Sequence, residues 1–132
     1  MTAKRQIVTE HSKPLHLIDN SFQNTSKHVI EVIELDDDET CCTFVLHHQD
    51  HTLGNSLRSI ISQYEGVELC GYTNPHPLEP KIHLRIQTDA SRDDLTPKIV
   101  LENALRDLKQ ITRVVQDKFE DAWAEFEAKM EN

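Results

Sequence analysis

Several residue types are scarce in this chain, and each shortage excludes a class of protein. Aromatic residues make up 5% of the sequence, and its only glycines, Gly54, Gly66 and Gly71, form no phosphate-binding loop. The three cysteines include no CxxC pair, so reduced thiols in a cytoplasmic or nuclear compartment are the simplest interpretation. The sequence also lacks a signal-peptide core and the roughly 18 consecutive apolar residues of a membrane span. We therefore expect a soluble intracellular protein.

Basic residues are outnumbered as well. The chain has 14 Lys and Arg against 23 Asp and Glu, which gives a formal net charge of −9. Because non-specific nucleic-acid affinity comes from Lys and Arg side chains that neutralise phosphates, we expect no direct, sequence-specific binding of nucleic acid. Residues 1–27 hold a small basic excess and lack a sustained hydrophobic period, so they are interpreted as a flexible extension. Residues 28–132 are then one folded domain.

The first part of this domain predicts two strands and a short helix. Residues 28–35 and 40–47 are rich in β-branched or alternating apolar residues, and an acidic turn at 36–39 separates them. This pattern indicates a β-hairpin with an acidic tip. Thr52 can cap a helix that ends near Gly66, because the apolar residues that follow it recur at intervals of three and four.

The second part predicts two more strands and a long helix. Residues 67–73 indicate a strand, and residues 81–88 alternate so strictly that one face should be apolar and the other solvated. From Thr96 a helix can run to about Met130, with Pro97 at the first position, where proline is tolerated. The predicted fold class is α+β: an antiparallel four-stranded sheet in ββαββα order with a short helix and a long C-terminal helix.

The long helix exceeds the size of the domain that carries it. Roughly 34 residues at 1.5 Å each make a rod of about 50 Å, whereas a compact globule of this chain length is about 35 Å across. Part of the helix must therefore extend beyond the domain and leave apolar residues in water, which is typical of an association surface. We expect a helical partner. The main apolar stripe consists of Leu101, Leu105, Leu108, Val115, Phe119, Ala122 and Phe126.

No cluster of residues in the sequence predicts catalysis. His47, His48 and His51 lie near two cysteines, but they lack the paired-thiolate spacing and the i, i+4 spacing of common zinc sites. The acidic run at 36–39 is typical of a solvated turn, since metal sites for phosphoryl chemistry draw their carboxylates from separate segments. We expect no catalytic, cofactor-binding or metal-ligating residue. A small metal-dependent hydrolase that uses these histidines is the alternative.

The octet at 51–58, His-Thr-Leu-Gly-Asn-Ser-Leu-Arg, opens the short helix with residues that core packing does not require. Gly54 costs roughly 1 kcal/mol against alanine inside a helix, which indicates either the close approach of another backbone or a plain first turn that tolerates glycine. Asn55 and Arg58 lie on one side of the helix. They either bond a neighbouring surface or are solvated.

This octet resembles the helix-opening motif of the α-like subunits of multisubunit RNA polymerases. Segments 43–50, 70–77 and 81–88 match the same family in the same order, and the long helix agrees in position and character. The residues at 56–58 and 83–86 are most similar to the small α-like subunits shared by eukaryotic RNA polymerases I and III. The counterpart in RNA polymerase II is the nearest alternative.

The resemblance implies a non-catalytic subunit of the nucleus and nucleolus that scaffolds polymerase assembly for the transcription of ribosomal RNA precursors, 5S rRNA and tRNA. It implies an obligate heterodimer with a larger α-like subunit. Further implied partners are the second-largest subunit and a small zinc-binding adaptor subunit, with no membrane. The residues that it places at or near a subunit interface are His51, Thr52, Leu53, Gly54, Asn55, Leu57, Arg58, Ile61, Leu101, Leu105, Leu108, Val115, Phe119 and Phe126.

Overall fold

The computed structural model describes residues 30–33 and 39–132 of the chain. The proposed extension at 1–27 and most of the acidic tip at 36–39 lie outside these ranges. The described elements follow the predicted ββαββα order and are β1 (Ile30–Ile33), β2 (Cys41–His47), α1 (His51–Ile61), β3 (Val67–Thr73), β4 (Lys81–Thr88) and α2 (Pro97–Met130).

The four strands form one antiparallel sheet in the order β1-β2-β4-β3. Both helices pack against the same face of this sheet, and β4 is central to the core because its alternate residues Ile82, Leu84 and Ile86 are fully buried. The residues between them point to the opposite face, as the strict alternation predicted. Phe44 lies opposite Leu84 in the ladder and extends the buried layer onto β2.

Helix α1 differs from the prediction at both ends. Its N-cap is Asp50, whose carboxylate accepts a hydrogen bond from the Thr52 backbone N–H at 2.9 Å, so Thr52 is not the cap. The helix ends at Ile61 rather than near Gly66, because the backbone N–H groups of Gln63 and Tyr64 bond three residues back in tighter turns. Gly66 then reverses the chain with a φ of +87°, a conformation that favours glycine.

Helix α2 begins as the sequence predicts. Thr96 is its N-cap, with the hydroxyl accepting from the Ile99 backbone N–H, and Pro97 occupies the first turn. Its buried residues all lie in the first eight positions of the helix: Pro97, Val100, Leu101 and Ala104. From residue 109 to the end of the chain every residue except Trp123 is exposed. The helix therefore extends far beyond the core that anchors it, which confirms the predicted overhang.

The assignment of Asp50 as the N-cap of α1 can be tested by substitution. Replacing Asp50 with alanine should lower the free energy of unfolding by about 1 kcal/mol, because the Thr52 N–H loses its acceptor. Urea denaturation followed by circular dichroism measures the change. The exposed Asp93 caps no helix, so Asp93→Ala is the matched control. Its free energy of unfolding should stay within about 0.5 kcal/mol of the parent value. Equal midpoints for both variants would contradict the assigned cap.

Candidate subunit interface

The octet that opens α1 divides into a buried and an exposed set. Gly54 and Leu57 face the sheet and are buried, while Leu53 is half-buried against the core. Four exposed polar side chains form a polar rim on the outer side of the helix. This polar rim consists of the exposed residues His51, Thr52, Asn55 and Arg58.

Packing within this chain requires a glycine at position 54. A Cβ atom built at this position would lie 2.7 Å from Cδ2 of Tyr72, closer than real Cβ contacts, and 3.0 Å from Cδ1 of Ile82, which is unusually tight. The Tyr72 ring is held over the glycine by a 2.9 Å hydrogen bond between its hydroxyl and Nδ1 of His51. The expectation of another backbone approaching Gly54 is therefore wrong. The close neighbours are two side chains from β3 and β4.

Three further predicted interface residues have no surface to offer a partner. Leu57 and Ile61 are fully buried, and Leu101 is nearly so, all within the single hydrophobic core of this chain. Their place at or near a subunit interface, which the resemblance implies, stays a prediction. They hold α1 and α2 against the sheet and in that way position the residues above them.

Several exposed apolar residues lie on the overhanging part of α2. Phe119 is 61% exposed and Phe126 is 54% exposed, and Trp123 lies between them with ring-centroid distances of 6.2 and 5.9 Å. Such a row of aromatic rings in water is unfavourable by roughly 25 cal/mol for each Å² of apolar surface. We call the predicted interface residues on this face the helix stripe: Leu105, Leu108, Val115, Phe119 and Phe126.

Some exposed apolar residues were missed by the sequence analysis. Ile30 and Val32 on β1, and Ile99 on α2, all remain about two-fifths exposed. Alternation in a sequence predicts which face of a strand is apolar, but it does not show whether a helix covers that face. The exposure of β1 therefore had no signal in the sequence.

The surface of the domain also contains a groove of about 410 Å³ between the turn that follows α1 and the first part of α2. The Tyr64 hydroxyl donates to the Asp107 carboxylate across this groove and links the two elements. The two arginines at its mouth are already paired, Arg92 with Asp94 and Arg106 with Glu102.

The histidines considered as metal ligands do not converge. Nε2 of His47 lies 3.3 Å from the Glu31 carboxylate on the neighbouring strand, and His48 turns the chain with a φ of +60°. Within residues 30–33 and 39–132, no group of three or more His, Cys, Asp or Glu side chains could hold a metal ion. In the same ranges no helix is long and apolar enough to cross a membrane.

The three cysteines are free thiols. Cys42 and Cys70 both face the helices, on either side of their shared ladder neighbour Ile86. Two strand spacings separate them by roughly 9–10 Å, which is too far for a disulfide. Burial raises the pKa of the Cys70 thiol from 9.0 to about 11, and the nearby positive charge of Arg58 opposes that shift. This thiol is therefore a poor nucleophile at neutral pH.

Together these features define a class: a small α+β domain whose long terminal helix presents apolar residues for association with another chain. The family profile described as the RNA polymerase Rpb3/Rpb11 dimerisation domain matches residues 41–118, which is more than half of the chain. The chain belongs to this family.

Curated relatives agree with the profile. The chain is 44% identical over 107 residues to the DNA-directed RNA polymerases I and III subunit RPAC2 of Danio rerio, covering 80% of this chain and 93% of that protein. It is 47% identical over 91 residues to the protein of the same name in Drosophila melanogaster, covering 68% of this chain and 83% of the relative.

The fold is found in a solved structure as well. The crystal structure of DNA-directed RNA polymerase subunit L from Thermoplasma acidophilum superposes with a TM-score of 0.59 and covers 75% of this chain and 94% of that one. Its sequence identity is 16%, so this similarity concerns the fold alone. It supports the antiparallel sheet with two helices on one face.

The packing around Gly54 predicts a selective effect of an added methyl group. Gly54→Ala should lower the free energy of unfolding by about 1–3 kcal/mol, since the Tyr72 ring must move. Gly71 is the matched control, because a Cβ there would meet nothing within 4 Å. Thermal unfolding of the two purified variants measures the difference. A Gly54→Ala variant as stable as Gly71→Ala would refute the close packing described here.

The buried thiol predicts a dependence on alkaline pH. Because the pKa of Cys70 is raised in the folded state, its contribution to stability is complete below pH 9.0 and is lost as the pH rises towards about 11. Cys70→Ala should therefore lose less stability than the parent between about pH 8 and about pH 10.5. Tyr64, whose pKa burial and Asp107 raise further, is present in both proteins and cancels in the comparison. Identical pH profiles would contradict the burial effect.

Proposed function

We propose that this chain is a non-catalytic core subunit of DNA-directed RNA polymerases I and III that forms a heterodimer with a larger α-like subunit and so scaffolds assembly of the enzyme. The proposal is supported by the family membership and by relatives that carry this subunit name. The single observation that carries it is the helix stripe, whose residues Val115, Phe119 and Phe126 remain exposed on the overhanging part of α2.

The physical reason for a heterodimer is the unburied apolar surface of α2. More than half the surface of Val115, Phe119 and Phe126 is exposed, although large apolar side chains gain about 1.5–3 kcal/mol each from full burial. A second helix packed along this face at about 8–10 Å would bury these residues. The subunit and its partner would then share one core across the interface.

The polar rim suits contacts with further subunits. Asn55 and Arg58 are exposed side by side on α1, and Arg58 has the planar group that pairs well with carboxylates. We assign this rim, with His51 and Thr52, to contacts with the larger α-like partner or with the second-largest polymerase subunit. A small zinc-binding adaptor subunit is a further neighbour in the proposed complex.

The proposed complex implies the cellular compartment and the RNAs that the chain would serve. As a subunit of these two polymerases the chain would act in the nucleus, including the nucleolus, in the synthesis of ribosomal RNA precursors, 5S rRNA and tRNA. The names of the relatives favour this over an RNA polymerase II subunit, because they specify polymerases I and III. Among the residues that the structure describes, no group of His, Cys, Asp or Glu side chains favours the metal-dependent hydrolase.

Affinity purification of the tagged full chain from nuclei tests the complex. Mass spectrometry should recover a larger α-like subunit in equimolar amount, together with the large subunits of both polymerases I and III. Recovery with the large subunits of RNA polymerase II alone would contradict the assignment. A stable, monodisperse monomer with no polymerase subunit attached would contradict the proposed function as a whole.

The helix stripe is tested with two charges placed on opposite sides of α2. Phe126→Glu puts a carboxylate in the stripe and should weaken the heterodimer at least tenfold, since a buried charge without a partner is costly. Ala128→Glu adds the same group two residues along, roughly 200° around the helix, and should change the dissociation constant less than twofold. Calorimetric titration with the larger subunit measures both. Equal weakening by the two variants would refute this interface.

A further inference from the structure

The inner face of β1 is apolar but uncovered. Ile30 pairs with Leu46 and Val32 pairs with Phe44, so all four side chains point to the side of the sheet that carries the helices. Leu46 and Phe44 are buried in the core, whereas Ile30 is 42% exposed and Val32 is 41% exposed. One strand of this apolar face therefore lies in the open.

The cause is the width of the helix layer. Helix α1 contacts β3 and β4, and α2 contacts β2 and β4, while β1 touches neither helix in the described part of the chain. Strands lie about 4.8 Å apart, and packed helices lie about 8–10 Å apart. Two helices thus cover about three strands here, and the edge strand β1 remains beyond them.

The open strand and α2 together form a groove with an apolar floor and an apolar wall. Asp107 marks the side of α2 that faces α1, because its carboxylate accepts from Tyr64. Leu105 precedes it by two residues, roughly 200° around the helix, and so lies on the side towards β1. Leu105 is also exposed, and it is the first residue of the helix stripe. The groove is therefore continuous with the stripe.

We propose that one helix of the larger α-like partner lies in this groove, over Ile30 and Val32, as a third member of the helix layer. The inference rests on the proposed function, which supplies the partner. A helix centred about 10 Å from α2 would stand above β1, so its apolar side would cover the exposed floor. The contact would extend the interface from the helix stripe onto the sheet. Partner residues facing this floor should be aliphatic or aromatic, because the floor presents no charged side chain.

Two adjacent residues of β1 provide a matched test. Val32 and Ile33 are similarly exposed, at 41% and 38%, but successive strand residues point to opposite faces. In the reconstituted heterodimer, Val32→Asp should raise the dissociation constant at least tenfold, and Ile33→Asp should change it less than threefold. Equal effects of the two substitutions would overturn the assignment of the partner helix to the inner face.

A second measurement covers the case in which Val32→Asp unfolds the chain. Spin labels on Val32→Cys and Ile33→Cys report local mobility in the assembled complex without an added charge. Addition of the larger subunit should immobilise the label at position 32 and leave the label at 33 unchanged. A label at 32 that stays mobile while the complex forms would overturn this inference and leave the proposed function intact. If the larger subunit binds neither labelled chain nor the parent, both proposals fail.

Discussion

The structure depends on one constraint: a 34-residue helix is anchored by a core that reaches only its first two or three turns. Leu101 and Ala104 lie in that core, and Leu108 is the last residue of the helix that packs against it. Beyond this point every residue except Trp123 is exposed in the described part of the chain. The helix there depends chiefly on local contacts along its own length, which are marginal for an isolated helix in water. Contacts with another chain can supply the missing tertiary packing. The shape of the domain and its association are thus consequences of the same mismatch in length.

The helix-opening octet contributes to association from inside the fold. His51 holds the Tyr72 ring, and the ring lies directly on Gly54, so α1 sits close to β3 and β4. The helix is fixed at a short distance from the sheet, and Asn55 and Arg58 are thereby presented on the outside. A motif that resembles an interface signature therefore acts first on packing within the subunit, and the positions it gives to the exposed side chains follow from that packing.

The sequence predicted the features that arise from local chemistry. The alternation in β4 and the Thr96-Pro97 start of α2 are periodic or capping signals, and the structure reproduces both. One error concerns neighbours that are distant in sequence, and another concerns a choice between two nearby caps. Nothing near Gly54 in the chain indicates that Tyr72 will pack on it, because β3 reaches it only after the sheet has formed. Asp50 and Thr52 are both good capping residues, and the backbone geometry at Asp50 decided between them.

The charge of the overhanging helix favours a different chain over a second copy as its partner. After Val115 the acidic residues Asp117, Glu120, Asp121, Glu125, Glu127 and Glu131 outnumber the basic residues Lys118 and Lys129. A parallel pair of two copies would place these carboxylates side by side, and their repulsion would oppose burial of the aromatic rings. The whole chain is acidic, with a net charge of −9, so repulsion also acts at longer range. A partner with a compensating basic surface would remove this repulsion and keep the apolar gain. The helix thus combines a need for association with selection against self-association.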